Sequence, residues 1–210
     1  MQRFAREIVQ MNVPEHRLCV YCGSAPGIDP AFVTAARALG TAMAEAGIGL
    51  VYGGGSLGLM GETARAVIAA GGHVTGIIPE FLVSKERMQD GVHELIVTRT
   101  MHERKMAMFE RSTGFVALPG GIGTLEELAE ILTWSQLKQH ARPIILCNVV
   151  GFWDGLLGLI DHMRVQGFIR AGFEVAMDVA DGAEAVIDSY HHRRTVTRGI
   201  VGVEAVQDKL

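Results

Sequence analysis

The sequence predicts a single α/β domain built on a doubly wound parallel sheet with helices on both faces. Short, continuously apolar segments alternate with longer segments of helical periodicity, as expected for strands buried between two helix layers. The chain has 210 residues, of which 49% are hydrophobic, and this suits one domain of the class. Neither an internal repeat nor a linker interrupts the alternation. We expect only residues 1–15, an amphipathic N-terminal extension, and a loosely held tail at about 195–210 to lie outside the regular pattern.

Each element follows from its local pattern. The strands are short apolar runs that end at glycine, proline or polar residues, and we expect them at 17–22, 48–52, 73–78, 93–98, 114–118 and 143–148. The segments between them repeat apolar residues at helical spacing. We therefore expect helices near 30–46, 57–70, 101–112, 124–138, 152–166 and 182–192.

Composition excludes several classes of function. The net charge of −4 and the isoelectric point near 6.1 argue against a general nucleic-acid or membrane-surface binder. The first residues lack the apolar core of a signal peptide, and no stretch approaches the length of a membrane span. The sequence thus favours a cytoplasmic protein without membrane or nucleic-acid partners.

The three cysteines do not form a disulfide framework, because their number is odd. Cys19 and Cys22 have the spacing of a redox motif. They lie on a predicted strand, however, where residues three apart point to opposite faces, whereas redox pairs begin helices. We expect core cysteines. A zinc site would need a further ligand that the sequence does not supply, so no metal is predicted.

Glycine-rich and charged loops follow five of the predicted strands. They are CGSAPG (22–27), YGGGSLGLMG (52–61), PE (79–80), TRTMHERK (98–105) and PGGIGTLEE (119–127). In a parallel sheet all five loops lie at the carboxyl edge, where open α/β sheets bind ligands. The sequence therefore predicts one site at this edge.

Two of these loops match phosphate-binding patterns. Gly53, Gly55 and Gly58 satisfy G-x-G-x-x-G, with Glu80 near the spacing of a nicotinamide-dinucleotide site, but the motif follows the second strand rather than the first. In the second loop, 119–124, glycines allow close approach of a ligand to a helix N-terminus. The same residues also form a capping box, Thr124-x-x-Glu127, and this alternative stays open.

The helix after the second loop carries Glu127 in an unusual position. Periodicity places its core stripe on Leu125, Leu128, Ala129 and Leu132, and places Glu127 on a line with Ile131 and Trp134. A second buried side would desolvate Glu127. We expect this helix at or near a symmetric homodimer contact, because Ile131 and Trp134 lie off the core stripe.

Arg104 is the cation expected to face this carboxylate. Thr100-x-x-Glu103 forms a capping box that places Arg104 and Lys105 in the first turn of a helix, where the dipole disfavours cations. An anionic partner is therefore expected, and a ligand phosphate is favoured over a protein group because the same edge carries two glycine loops. Arg104 could also extend its stem over the core. His102 is interpreted as a structural histidine.

These segments resemble one known family. PGGIGTLEE is similar to the PGGxGTxxE signature and MHERK to its partner segment, and with YGGGSLGLMG and CGS they resemble the LOG proteins, which are cytokinin riboside 5′-monophosphate phosphoribohydrolases. The resemblance covers roughly residues 16–170. It implies a Rossmann-like fold, a homodimer with sites near the subunit interface, and hydrolysis of the bond between base and ribose 5-phosphate without a cofactor.

The resemblance also implies roles for individual residues. The catalytic pair maps onto Arg104 and Glu127. The substrate-binding positions are Gly23, Ser24, Gly53, Gly54, Gly55, Met60, Glu80, Lys105, Gly120, Gly121, Ile122, Gly123, Thr124, Leu125, Glu126 and Thr133. Relatives have been labelled lysine decarboxylases, but no acid–lysine arrangement for a pyridoxal cofactor is evident.

The sequence therefore favours an N-glycoside hydrolase acting on purine nucleoside 5′-monophosphates, including N6-prenylated adenine nucleotides. Glu127 would stabilise the oxocarbenium-like transition state and orient water, and Arg104 would position Glu127 and the sugar phosphate. The general acid is unassigned. A non-catalytic nucleotide or cofactor carrier and a dinucleotide oxidoreductase remain as alternatives.

Overall fold

The computed structural model describes residues 13–83 and 88–207, with side chains described up to residue 195. Seven strands form one parallel sheet in the order β4-β3-β2-β1-β5-β6-β7. They are β1 (Arg17–Tyr21), β2 (Gly49–Tyr52), β3 (Val74–Pro79), β4 (Glu94–Thr98), β5 (Gly114–Ala117), β6 (Ile144–Cys147) and β7 (Asp178–Ala180). The predicted doubly wound α/β class is confirmed.

Within the residues that the structure describes, seven α-helices connect and cover the strands. They are α1 (Pro30–Glu45), α2 (Gly58–Ala69), α3 (Glu80–Val83), α4 (Met101–Glu110), α5 (Ile122–Gln136), α6 (Asp154–Val165) and α7 (Ala183–Gln207). A short 3₁₀ turn, Val149–Gly151, precedes α6. In the described part of the chain no helix is both long and apolar enough to cross a bilayer.

Two hydrophobic cores lie on opposite faces of the sheet. One packs β1, β2 and β5 against α1, α2 and α7, and its large buried residues include Leu39, Met43 and Tyr190. The other packs the same strands against α4, α5 and α6, around Phe115, Leu128 and Ile131. Because both faces are covered, the central strands are buried apart from Arg17 at the start of β1, as their continuous apolar sequences predict.

The structure adds elements that the pattern did not predict. Strand β7 has only three residues, and the four-residue α3 starts immediately after β3. Helix α7 was expected to end near residue 192, but it continues to Gln207. Helix α5 begins at Ile122, two residues before its predicted start. The predicted extension at 1–15 lies mostly outside the described residues.

The order of the strands determines where the functional loops meet. The sheet grows in one direction from β1 through β2 to β4 and in the other from β5 to β7, so the switch point lies between β1 and β5. The loops that follow these two strands touch, since the Gly23 N–H donates to the Pro119 carbonyl at 3.0 Å. Open α/β sheets bind ligands at such a point.

Candidate active site

A cleft of about 330 Å³ opens at the carboxyl ends of β1 and β5. The loop after β1, the start of α2, the start of α4 and the first turns of α5 form its walls. The residues that line it are Cys22, Gly23, Ser24, Met60, Met101, Arg104, Gly121, Ile122, Gly123, Thr124, Glu126 and Glu127. The two predicted catalytic residues and eight of the predicted binding positions are thus brought together.

The N-terminus of α5 offers open hydrogen-bond donors to the cleft. Gly121 is the N-cap residue, it has no side chain to cap the helix, and the first turn contains no acidic residue. The Leu125 N–H donates to the Gly121 carbonyl, but among the described residues no acceptor is seen for the N–H groups of residues 122–124. Free amides at the positive end of a 15-residue helix form a site for an anion.

The predicted capping box at Thr124 is wrong. Thr124 lies inside the first turn, and its buried side chain packs against Gly120, where a Cβ atom would overlap with it. Gly120 itself lines a neighbouring cavity of about 240 Å³ rather than the cleft. The prediction failed because a glycine N-cap leaves no signal that distinguishes it from a loop residue.

The other glycine loop, residues 53–58, is filled by atoms of the protein. A Cβ atom on Gly53 would overlap with the guanidinium of Arg104, and one on Gly58 would overlap with the backbone of Ser24 and Ala25. Two amides at the start of α2, those of Leu59 and Met60, donate to the Gly23 carbonyl at 3.0 and 3.4 Å. The G-x-G-x-x-G spacing therefore permits close packing here, which removes the main support for a dinucleotide site.

Arg104 is buried and held from several directions. Its Nε donates to the Ile77 carbonyl at 3.1 Å, its Nη2 to the Gly53 carbonyl at 3.4 Å, and its Nη1 lies 3.8 Å from the sulfur of Met101. The predicted cap of α4 is confirmed, because the Thr100 hydroxyl accepts from the Glu103 N–H at 3.1 Å. The alternative that Arg104 only covers the core is wrong, since its charged end lines the cleft.

Glu127 faces Arg104 across the cleft. Its Oε1 atom lies 3.8 Å from Nη1 of Arg104, and both side chains are largely shielded from solvent. Burial raises the pKa of the Glu127 carboxyl to about 7, while the positive charge of Arg104 acts in the opposite direction. A carboxyl group with a pKa near neutrality can exchange protons at physiological pH.

The desolvation of Glu127 is confirmed, but the predicted geometry of its helix is not. The buried residues of α5 are Thr124, Leu128, Ile131 and Leu132, whereas Leu125 and Ala129 are exposed. Glu127 therefore borders the core face itself and not a second buried side. Ile131 is part of the core, and Trp134 packs edge-on against Phe109 at 5.0 Å, so neither is available as an exposed apolar pair.

Lys105 does not point into the cleft. Its Nζ atom lies 2.5 Å from Glu126 and 3.2 Å from Glu130, and the bond to Glu126 is the main reason why its pKa is raised. These two carboxylates in turn raise the pKa of Glu127. The positive charge of Lys105 thus compensates the negative charges of these two carboxylates on α5.

The remaining predicted positions lie around the cleft without lining it. Glu80 is exposed at the start of α3, and Leu125 and Thr133 are exposed on α5, where the Thr133 hydroxyl donates to the Ala129 carbonyl at 2.7 Å. Gly54 has a φ of +81° and packs beneath Ile78, and Gly55 forms an isolated bridge with Met88. His102 is also exposed and outside the lining.

Two lining residues were not predicted as site residues. Cys22 was assigned to the core, and it is indeed buried, but it also closes the cleft at the end of β1. Met101 lies one turn before Arg104, and this spacing was the available signal. The prediction of core cysteines is confirmed, since Cys19 and Cys22 are free, lie on opposite faces of the sheet, and have pKa values raised by burial.

Comparison with known proteins identifies the relatives of this chain. Residues 60–190 match the model of a family described as "Possible lysine decarboxylase". The chain is 48% identical over 153 residues to the probable cytokinin riboside 5′-monophosphate phosphoribohydrolase LOGL5 of Oryza sativa subsp. japonica, covering 73% of this chain and 62% of that protein. It is also 48% identical over 155 residues to the phosphoribohydrolase LOG2 of Arabidopsis thaliana, covering 74% and 73%.

A solved structure supports the fold. The molybdenum cofactor carrier protein of Chlamydomonas reinhardtii superposes with a TM-score of 0.64 at 23% identity, covering 86% of this chain and 98% of the carrier. This likeness shows a common architecture. The sequence matches are closer, although the aligned part spans less than two thirds of the length of LOGL5. The resemblance noted from the motifs is confirmed, and the chain belongs to the LOG family, whose members match the model described as "Possible lysine decarboxylase".

Proposed function

We propose that this chain is an N-glycoside hydrolase that releases the base from purine nucleoside 5′-monophosphates and leaves ribose 5-phosphate. The observation that carries the proposal is the placement of Glu127. This desolvated carboxyl group, with its pKa raised to about 7, lies 3.8 Å from a buried arginine and beside an open helix N-terminus. The names of the relatives, cytokinin riboside 5′-monophosphate phosphoribohydrolases, agree with this chemistry.

The 5′-phosphate binds at the start of α5. Residues 122–124 supply amides without acceptors in the described part of the chain, and the glycines around them leave room for a phosphate to approach the backbone. The loop at 53–58 is a poor alternative because the Arg104 guanidinium and the backbone of residues 24–25 already fill its space. The first amides of the helix after it donate to the Gly23 carbonyl. The ribose then extends from the phosphate towards Glu127.

Hydrolysis replaces the bond between C1′ and the base nitrogen with a bond to water oxygen. The electron pair of the broken bond leaves with the base, and positive charge develops on the ribose in the transition state. Ionised Glu127 stabilises that charge and accepts a proton from the attacking water. The base nitrogen takes up one proton, so the overall reaction consumes one water molecule.

Arg104 has two roles in this proposal. Its hydrogen bonds to Ile77 and Gly53 fix the guanidinium, and its charge lowers the pKa of Glu127 and so favours the ionised form. A rigid cation next to the carboxylate also attracts the substrate phosphate. Binding alone does not require a desolvated carboxylate beside an anion site, and this favours a catalyst over a carrier.

A symmetric homodimer is part of the proposal, but the surface differs from that predicted from Ile131 and Trp134. Helix α6 has no buried residue and exposes Leu159 and Met163 one turn apart, and Phe168 follows it with 83% of its side chain accessible. An apolar stripe of this kind on a helix is typical of a protein interface. Light scattering at micromolar concentration should give twice the chain mass, and a monomer would contradict the dimer.

The function is tested by incubating the protein with AMP, with the 5′-monophosphate of N6-isopentenyladenosine, and with adenosine. We expect free base and ribose 5-phosphate in equimolar amounts from the nucleotides, and far slower release from adenosine, because it lacks the phosphate. The ratio of the two nucleotide rates measures the base preference. Tight nucleotide binding without base release would contradict hydrolysis and favour a carrier.

A further inference from the structure

Two cavities lie at the amino edge of the sheet, opposite the candidate active site. One of about 410 Å³ lies between the end of α5, the segment 140–144 and Arg193. The other, of about 440 Å³, lies against the same segment beside Thr113 and Arg194. They share residues 140–143 and together form what is called here the amino-edge groove.

The charge of the amino-edge groove is opposite to that of the whole chain. Its lining contains Lys138, Arg142, Arg193 and Arg194 and no aspartate or glutamate, although the chain carries 23 acidic and 19 basic residues. Asp178 compensates Arg193 through a salt bridge of 2.5 Å. Within the described residues, no carboxylate forms an ion pair with the other three cations.

Arg142 is the central cation. It is half-buried, its Nη1 donates to the Phe109 carbonyl at 2.6 Å, and its guanidinium carbon lies 4.1 Å from the centre of the Phe109 ring. Burial lowers its pKa, and Glu110 opposes this only from a distance. A guanidinium that is fixed, partly desolvated and without a carboxylate partner has capacity for an anion with several oxygens.

The uncharged residues that line the amino-edge groove indicate what else the ligand contains besides an anionic group. His140 is held in place, because its Nδ1 accepts from the Arg142 N–H at 3.1 Å and its Nε2 lies 3.1 Å from the Ile131 carbonyl. Pro143 and Ile144 are buried at the apolar floor of the groove, and the half-buried ring of His140 lies beside them. A flat ring can lie on such a surface while its phosphates reach the cations.

We propose that the amino-edge groove is a second ligand site that binds a nucleoside polyphosphate. Its phosphates contact Arg142, Lys138 and Arg194, and its base lies over the segment 140–143 that the two cavities share. The site is separate from the cleft at the carboxyl edge, so this inference goes beyond the proposed hydrolysis and does not depend on it.

The test measures binding of ATP and of inorganic tripolyphosphate to the full chain by calorimetry. The variants are Lys138→Gln, which alters an exposed side chain, and Arg142→Gln. The matched control is Arg37→Gln, which removes one positive charge from an exposed position on α1. Thermal unfolding verifies that each variant is folded, and Lys138→Gln keeps the test valid if Arg142→Gln is destabilised.

We expect both ligands to bind the wild type, and each of the two groove variants to weaken binding by about tenfold, as is typical for loss of one charge-assisted contact. Arg37→Gln should change the affinity by less than about twofold, since exposed charges beyond the Debye length are screened. Tighter binding of ATP assigns the ligand to nucleotides, and equal binding assigns it to the phosphate chain alone. No binding, unchanged binding in Lys138→Gln, or an equal loss in Arg37→Gln would overturn the site.

Discussion

Two glycine loops lie at the carboxyl edge of the sheet, after β2 and β5 on either side of β1, and they differ in what occupies the space that the glycines leave. In the loop at 53–58 the protein fills that space with the guanidinium of Arg104 and the backbone of residues 24–25. At the start of α5 the space beside Gly121 and Gly123 is empty of protein atoms, and the helix amides remain without acceptors in the described residues. The first loop matches a nucleotide-binding fingerprint, yet the second is the better site for a phosphate.

The difference shows that a glycine motif allows another group to approach the backbone closely, but does not determine whether that group is a ligand or a part of the protein. In the first loop the partner is Arg104, which we propose to be catalytic, so the loop would act by positioning that side chain. In the second the partner is the proposed substrate. Glu127 lies between the two, facing Arg104 on one side and the open helix N-terminus on the other. Substitutions on each side should therefore separate catalysis from binding.

The largest effect is expected from Glu127→Gln. Loss of the negative charge should lower kcat by about 100-fold or more, because the charge on the ribose is then no longer stabilised. Nucleotide affinity should be retained, since the helix amides are unchanged. Steady-state assays of base release measure the first quantity and calorimetry the second.

Stability provides the control for this substitution. Because burial raises the pKa of Glu127 above that of an unfolded chain, its ionised form costs folding free energy, and the cost develops as the pH rises from about 4.5 to about 7. Neutral glutamine avoids that cost, so the Tm should not fall at pH 7 or above. A fall in kcat accompanied by an equal loss of folded protein would indicate that Glu127 is only structural.

A matched pair of glycine substitutions tests the comparison directly. In Gly53→Ala the new methyl group displaces Arg104, and kcat should fall by about tenfold to 100-fold, with a smaller rise in KM because Arg104 also attracts the substrate phosphate. In Gly121→Ala the methyl group meets no protein atom and the φ of −91° suits alanine, but it projects at the rim of the cleft. There KM should rise by about tenfold with a smaller change in kcat.

The two variants serve as controls for each other, because each adds one methyl group to a glycine loop at the same sheet edge. Initial rates over a range of AMP concentrations separate kcat from KM. If Gly53→Ala raised KM and left kcat intact, the loop at 53–58 would be a binding loop after all, and the contrast drawn between the two loops would be wrong.

Features that depend on a short segment of sequence could be predicted, whereas features that depend on packing between distant segments could not. Continuous apolar runs predicted six strands, and the positions of the loops after them predicted the edge. The pairing of Arg104 with Glu127 was implied only by the resemblance to the LOG family, since the local pattern favoured a ligand phosphate as the partner of Arg104. Strand β7 was missed because three residues, Asp178–Ala180, carry no periodicity. The buried face of α5 was misassigned because Leu125 and Ala129 fit a helical stripe as well as Ile131 does, and only the packing against the sheet decides between them.

The pH dependence should sharpen the role of Arg104. If catalysis requires ionised Glu127, kcat/KM should rise with pH through an apparent pKa of about 7 and then level off. Arg104→Gln removes a positive charge that lowers the pKa of Glu127. The rise in kcat/KM should therefore move to higher pH, and its plateau should also be lower. A wild-type profile that is flat between pH 5 and 8 would remove Glu127 as the titrating group.

The smallest effect is expected from Lys105→Gln. A lysine beside an anion site would ordinarily be interpreted as a phosphate ligand. Lys105, however, does not line the cleft, and its ammonium group forms ion pairs with Glu126 and Glu130. Its removal should change KM for AMP by less than about threefold, because Lys105 does not line the cleft and is already paired with two carboxylates. The positive charge of Lys105 lowers the pKa of Glu127 less than that of Arg104 does, so the pH profile should shift in the same direction and by a smaller amount. Rates at several pH values and AMP concentrations measure both effects. Arg37→Gln is the control, because it removes a positive charge from an exposed position outside the lining of the cleft. A tenfold rise in KM without a shift of the profile would mean that Lys105 leaves the two glutamates to bind substrate, and the anion site would then extend beyond the amides of α5.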